Sequence, residues 1–199
     1  MKNFNELNFQ NQHYGTCTLV PLQNEKKFKE VLQSRDIHQR TSIGDQKDKS
    51  TSEQRANKLY VEVKATQEKY GFGFYEMYAK DTFLGLAGFF CLKGKYGIYP
   101  EICCYLLPEH QKRGIASDMT GVLIDHAFKI SNCYKVLADA FPDNYSTSVI
   151  QKYGFVRRSE KHQYKPNDVR HFGQIRYKLS RRDRGLFLLS EIIKKENTN

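Results

Sequence analysis

Residues 101–116, Glu-Ile-Cys-Cys-Tyr-Leu-Leu-Pro-Glu-His-Gln-Lys-Arg-Gly-Ile-Ala, constrain the fold more tightly than any other stretch of the chain. Residues 101–107 carry β-favouring side chains, and Pro108 withholds the next donor a sheet would need, so a strand ends there. From Gly114 onward Ile115, Met119, Val122, Leu123 and Ile130 recur at helical spacing, so a helix begins at or just before the glycine. A polar, cationic turn joins the two. The N–H groups of the first helical turn lack intrahelical partners and face that turn; with the helix dipole, Lys112 and Arg113 they form a site for a phosphate or pyrophosphate. Gly114 lets such a ligand approach the backbone closely.

The rest of the chain alternates strands and helices around this unit. Residues 1–14 read as an N-terminal arm, and residues 16–22 as a first strand closed by Pro21. Asn24 caps a helix from Glu25 to about Ser34 on an apolar face of Phe28, Val31 and Leu32. Residues 39–50 read as a mobile polar loop. Thr51-Ser-Glu-Gln54 opens a second helix running to about Lys69. Two β-rich runs, 72–79 and 83–92, suit a hairpin with irregularity at Gly85 and Gly88. After the central helix, residues 134–140 predict a strand, 143–152 a short capped helix ending at Gly154, and 155–161 and 174–180 the last two strands. Residues 181–199 have the spacing of an amphipathic helix, for which docking on the core, a dimer contact and a ribosome-binding element are the alternatives.

A chain of 199 residues, 39% hydrophobic, suits one domain, here residues 15–180 between the arm and the C-terminal tail. No stretch reaches the roughly 18 consecutive apolar residues of a membrane span, and the N-terminus lacks a secretory apolar core, which predicts a cytoplasmic protein without a membrane partner. Five cysteines without a Cys-x-x-Cys pair predict reduced, buried thiols. The six histidines show no metal-ligand spacing, so no metal is expected. A formal charge of +10 is compatible with nucleic acid, a ribosomal surface or acidic peptides, and selects none of them.

Gln111-Lys-Arg-Gly114-Ile-Ala116 resembles the Gln/Arg-x-x-Gly-x-Gly/Ala motif of the GNAT acetyltransferase superfamily, whose pyrophosphate loop holds acetyl-CoA. The preceding Glu-Ile-x-x-Tyr-Leu-x-Pro-Glu-x-Gln, together with Pro142-Asp-Asn-Tyr-Ser146 and Lys152-Tyr-Gly-Phe155, is similar to the RimJ/RimL-like branch of ribosomal-protein N-terminal acetyltransferases. The resemblance covers residues 99–156. It implies an α/β GNAT fold, with a mixed, mostly antiparallel sheet of about six to seven strands splayed at the cofactor site and helices on both faces.

Acetyl-CoA is then the expected co-substrate, held by Gln111, Lys112, Arg113, Gly114, Ile115 and Ala116, with backbone groups of Tyr105, Leu106 and Leu107 on the pantetheine arm and Asn144 touching it. By the same resemblance an N–H near Leu106 polarises the thioester carbonyl. Glu101, on the strand face of Cys103 and Tyr105, is the candidate base, with a salt-bridged strand-edge carboxylate as the other reading. Where other GNAT enzymes have an acidic tyrosine this chain has Ile150, so Ser146 is the candidate proton donor, with Thr147 and Tyr145 left open. Asp36, His38 and Arg40 fall near the acceptor by analogy. The expected acceptor is a primary amine, either a protein N-terminus with ribosomal-protein or ribosome contact or a small molecule. A non-catalytic CoA- or RNA-binding module is the alternative of another class, suggested by cations interleaved with aromatics in Lys161-His-Gln-Tyr-Lys165 and Arg176-Tyr-Lys178. Oligomeric state, monomer or homodimer, stays open.

Overall fold

The computed structural model describes residues 5–33, 51–94, 97–130, 133–142, 144–157 and 175–196. Its framework is an eight-stranded sheet ordered β1-β2-β3-β4-β5-β6-β8-β7. The strands are β1 (Leu7–Asn11), β2 (Gly15–Pro21), β3 (Phe74–Ala79), β4 (Thr82–Gly94), β5 (Gly97–Leu106), β6 (Lys135–Ala140), β7 (Val156–Arg157) and β8 (Ile175–Ser180). Neighbours run antiparallel except β5 and β6, which are parallel. The sheet has one strand more than the six to seven expected. The extra one is β1, where an arm was expected: residues 7–11 pair along β2 from Leu7↔Leu19 to Asn11↔Gly15.

Among the described residues five α-helices cover the sheet: α1 (Glu25–Gln33), α2 (Ser52–Tyr70), α3 (Ile115–Ile130), α4 (Ser146–Lys152) and α5 (Arg181–Glu196). Side chains alternate across each strand, and this divides the core into two layers. Tyr75, Met77, Leu84, Phe89 and Val136 pack with Ile115, Met119, Leu123 and Ile124 of α3. On the opposite face Phe74, Leu86 and Tyr105 pack with Phe28, Val31 and Leu32 of α1 and Ala56 and Val63 of α2.

Local signals explain the element ends. Thr51 and Gln54 form the reciprocal capping box their spacing predicts, and Gly71, at φ 73°, closes α2 in the left-handed conformation. The buried Glu76 carboxylate accepts from the N–H groups of Gln23 and Asn24 at 2.9 and 2.7 Å and from the Tyr78 hydroxyl at 2.6 Å, joining the end of β2 to the start of α1. Burial alone would raise its pKa; these donors and nearby Lys27 outweigh burial and hold the carboxyl below its ordinary value. The C-terminal helix docks beside α3, with Arg184 3.3 Å from Asp125 and Arg181 donating to the carbonyls of Phe128 and Cys133, while Leu186 and Leu188 face outward.

The strand predicted over 101–107 is longer at its start, because Pro100 lies within it opposite Cys91. Leu107 donates to Leu84 O at 3.0 Å, so odd-numbered residues of β5 direct their backbone groups to β4 and even-numbered ones direct theirs away. Pro100 is even-numbered, so its missing N–H costs no bond to β4. The expectations for residues 39–50, 158–161 and 161–165, and for Asp36, His38 and Arg40, lie outside the described residues.

A cleft at the fork between two parallel strands

The parallel strands β5 and β6 meet at one register pair, Glu101↔Leu137, and then diverge. Beyond that point β5 stays paired with β4 as far as Gly85↔Leu106 while its other edge opens. A cavity of about 580 Å³ occupies the fork, lined by residues 102–106 of β5, Ala138 to Ala140 of β6, the starts of α3 and α4, and the turn before α3. Gln111 Nε2 donates to Leu106 O at 3.1 Å from the open side. By the two-residue alternation of the strand, the N–H groups of Cys104 and Leu106 face this cleft as well.

The turn at the mouth of the cleft combines left-handed backbone with cations. Lys112 (φ 59°) and Gly114 (φ 76°) both take left-handed backbone, which turns successive N–H groups to one side. Asp118 N–H donates to Gly114 O at 3.1 Å as the first bond of α3, leaving the earlier amides of the helix start available. Lys112 lines the cleft, and Lys152 reaches Ser117 of the first turn of α3 at 2.7 Å. Arg113 points elsewhere: its guanidinium donates to the Tyr14 hydroxyl at 2.7 Å.

Of the residues singled out in the sequence, Tyr105, Leu106, Gln111, Lys112, Ala116, Asn144 and Ser146 line the cleft. Leu107, Arg113, Gly114 and Ile115 do not, and the Ile115 side chain is fully buried beneath α3. Asn144 Oδ1 accepts from Ser146 N–H at 2.9 Å, fixing the start of α4. That turn points Ser146 toward the cleft, while the Thr147 hydroxyl donates to Phe141 O at 3.1 Å. Tyr145 also touches the cleft but is largely exposed.

Glu101 is buried on the sheet face that carries α1 and α2, outside the cleft lining. Its carboxylate lies 3.6 Å from Arg176, which also grips Asp139 with two hydrogen bonds at 2.9 and 2.7 Å. Two carboxylates and one guanidinium from β5, β6 and β8 thus meet where the fork begins. Removing one member of such a buried group costs about 3–5 kcal/mol. This arrangement also corrects one sequence reading. Arg176-Tyr-Lys178 is no surface run of cations and aromatics, because Tyr177 is buried in the core and Arg176 is turned inward onto Asp139.

Sequence reasoning missed Asp139, Cys103, Cys104 and Thr120 as cleft residues. Thr120 follows Ala116 by one helical turn, a spacing that would have found it. Asp139 gave no local signal, since its place depends on strands 37 residues apart. All five cysteines are free thiols. Burial pushes the Cys104 thiol up to about 12 and Cys103 well above its ordinary value, Glu101 adding to the latter, so both stay protonated at neutral pH. Among the described residues no group of His, Cys, Asp and Glu is arranged to hold a metal ion, and no helix is long and apolar enough to cross a membrane.

The sequence profile of the family described as Acetyltransferase (GNAT) domain matches residues 17–156, which includes the fork, the turn and both helix starts. The chain belongs to the GNAT acetyltransferase family. It is an acetyl-CoA-dependent acyltransferase with the open, mixed sheet of a GNAT enzyme. No curated protein sequence matches the chain. Solved structures share the fold. Mycobacterium smegmatis RimJ in complex with a CoA-disulfide superposes with a TM-score of 0.69 at 14% identity, covering 89% of this chain and 88% of that one. An acetyltransferase from Agrobacterium tumefaciens str. C58 gives 0.65 at 18% identity, covering 89% and 95%. RimL, a ribosomal L7/L12 α-N-protein acetyltransferase in complex with coenzyme A, gives 0.63 at 14%, covering 82% and 93%. At these identities the likeness is one of fold.

Proposed function

We propose that this GNAT enzyme acetylates the N-terminal amine of a protein of the ribosomal type, by direct attack of the amine on the thioester. The observation that carries the reading is the fork. It joins, in one cleft, an open strand edge with amides free of β4 and an anion turn at a helix start. The residues present fit acetyl-CoA: a cationic turn of left-handed backbone suits the pyrophosphate, and an unpaired strand edge suits the amides of the pantetheine arm.

When bound, acetyl-CoA supplies the activated acetyl group. The turn at the mouth of the cleft, through Gln111, Lys112 and Ala116 of its lining, would hold the phosphates, and Asn144 would steady the start of α4 beside the arm. The Leu106 N–H donates to the carbonyl oxygen as negative charge develops there, a contribution of about 3–4 kcal/mol. Glu101 takes the amine proton, through water, from the face that carries α1 and α2. The Ser146 hydroxyl would pass a proton to the sulfur and be reprotonated, through solvent, by the proton that Glu101 took from the amine, so that both side chains end as they began. With the Cys103 and Cys104 thiols held protonated, no cysteine nucleophile intervenes, which favours direct transfer.

The fold neighbours named for acetylation of ribosomal protein L7/L12 support the acceptor class, and an acceptor of that class puts the enzyme in the cytoplasm. Two measurements test the proposal. Glu101→Gln is expected to lose about 100-fold or more in turnover with unchanged CoA affinity, and unchanged turnover removes Glu101 from the mechanism. Acetylation of N-terminal peptides against polyamines and amino acids, read by thiol release, is expected to favour the peptides; the opposite preference moves the acceptor to a small amine.

A further inference from the structure

The turn of the β1–β2 hairpin packs against the cofactor turn, and the contact centres on Asn11. This residue is 4% exposed, and its side chain makes four hydrogen bonds. Nδ2 donates to Arg113 O and to Asp118 Oδ2, each at 2.9 Å. Oδ1 accepts from the N–H groups of His13 and Tyr14 at 3.0 and 3.2 Å. Two donors and two acceptor lone pairs are the whole capacity of an asparagine amide, and here all are engaged. Its two donor bonds fall on either side of Gly114, one on the carbonyl before the left-handed glycine and one on a carboxylate in the first turn of α3.

The hairpin reaches the same turn a second time. The Tyr14 hydroxyl accepts from Arg113 at 2.7 Å and shares a 2.7 Å hydrogen bond with His110 Nδ1. The turn it braces contains a non-glycine residue, Lys112, at φ 59°, a conformation that costs about 1 kcal/mol or more unless its surroundings fix it.

We propose that Asn11 is a positioning residue for acetyl-CoA: it holds the 111–116 turn in its anion-binding shape before the ligand arrives. Asn11 lies outside the cleft lining, so it acts through Arg113, Gly114 and Asp118 and touches neither cofactor nor acceptor. The inference rests on the reading of this turn as the pyrophosphate cradle. Without the brace, only part of the folded population has a competent turn, and apparent affinity falls by that fraction. Chemistry at saturating cofactor is left as it was.

The test uses the full chain, titrating CoA by calorimetry and measuring steady-state kinetics. Asn11→Ala is expected to raise the CoA Kd and the KM for acetyl-CoA together by about tenfold, with kcat within about twofold of wild type. A lowered melting temperature with unchanged Kd in the folded protein overturns the proposal, because a merely structural contact behaves that way. A charge swap tests it independently and covers a failure of the alanine variant to fold. Asn11→Asp sets a carboxylate against Asp118 and the Arg113 carbonyl and is expected to bind CoA still more weakly. Adding Asp118→Asn restores one donor–acceptor pair across the gap and is expected to recover binding; no recovery overturns the proposal. A wild-type chain that binds no CoA defeats the cradle reading and this inference with it, whereas equal binding by wild type and Asn11→Ala defeats the inference alone.

Discussion

The imidazole of His126, on α3, shares a 2.7 Å hydrogen bond through Nε2 with the hydroxyl of Tyr75, on β3. Burial raises the tyrosine pKa, so the phenol keeps its proton, and the imidazole tautomer sets which of the two groups donates. Burial, with Lys129 adding to it, lowers the His126 pKa from 6.5 to about 4. The folded value lies below the unfolded one, so the stability conferred by the neutral ring is fully present above about pH 6.5 and is lost as pH falls toward 4. At about 1.4 kcal/mol per pH unit, the interval from about pH 7.5 to about pH 5 is worth about 2 kcal/mol, which partial exposure of the ring reduces to about 1 kcal/mol. His126→Gln offers Tyr75 both a donor and an acceptor and does not titrate. Urea unfolding of both proteins at the two pH values is expected to show the wild type losing about 1 kcal/mol more than the variant across that interval. Other groups, Glu76 among them, titrate in both proteins and cancel. Equal losses would refute the argument that His126 is held neutral by its surroundings.

Three further outcomes follow from the geometry. Ser146→Ala is expected to lower kcat by about tenfold or more with CoA affinity kept, whereas Thr147→Ala, which removes the bond to Phe141 O, lowers stability by about 1 kcal/mol and leaves kcat near wild type; kinetics and melts on both variants check this. Gly154 has φ 79°, and a Cβ there would lie 2.8 Å from the Phe187 ring of α5, so Gly154→Ala is expected to cost about 1–3 kcal/mol in a denaturant melt. With its pKa near 12, the Cys104 thiol in the folded protein is expected to react with iodoacetamide about 1,000-fold more slowly than an ordinary thiol, and mass spectrometry after timed labelling reads this directly.

The parts legible in the sequence are those whose physics is local. The strand–turn–helix unit of residues 101–116 carries its own signals, a β-rich run, a proline, cations and a glycine, and the structure builds β5, a turn and α3 from them. The capping box at Thr51 was equally local. Asn11 gave no comparable signal: its four bonds look ordinary in sequence, and two of them reach partners more than 100 residues away. The strand expected from residue 101 takes in Pro100 as well, and nothing in the sequence tells which edge of a strand a proline nitrogen will face. The ion cluster at Glu101 depends on the cross-strand register Asp139↔Arg176, which fixes two of its members on one sheet face. Local pattern gives a residue its strand; register gives it its neighbours.

The fork has a consequence for how the backbone breathes. Along β5 the amides of Cys103, Tyr105 and Leu107 are tied to β4, while those of Cys104 and Leu106 open onto the cleft. In deuterated water, protection along this strand should therefore alternate residue by residue, slow and then fast, within a strand that is otherwise core. A ligand that pairs with the open edge slows the fast members and evens the pattern out. The gap in the sheet thus leaves its own record in exchange rates, one amide at a time.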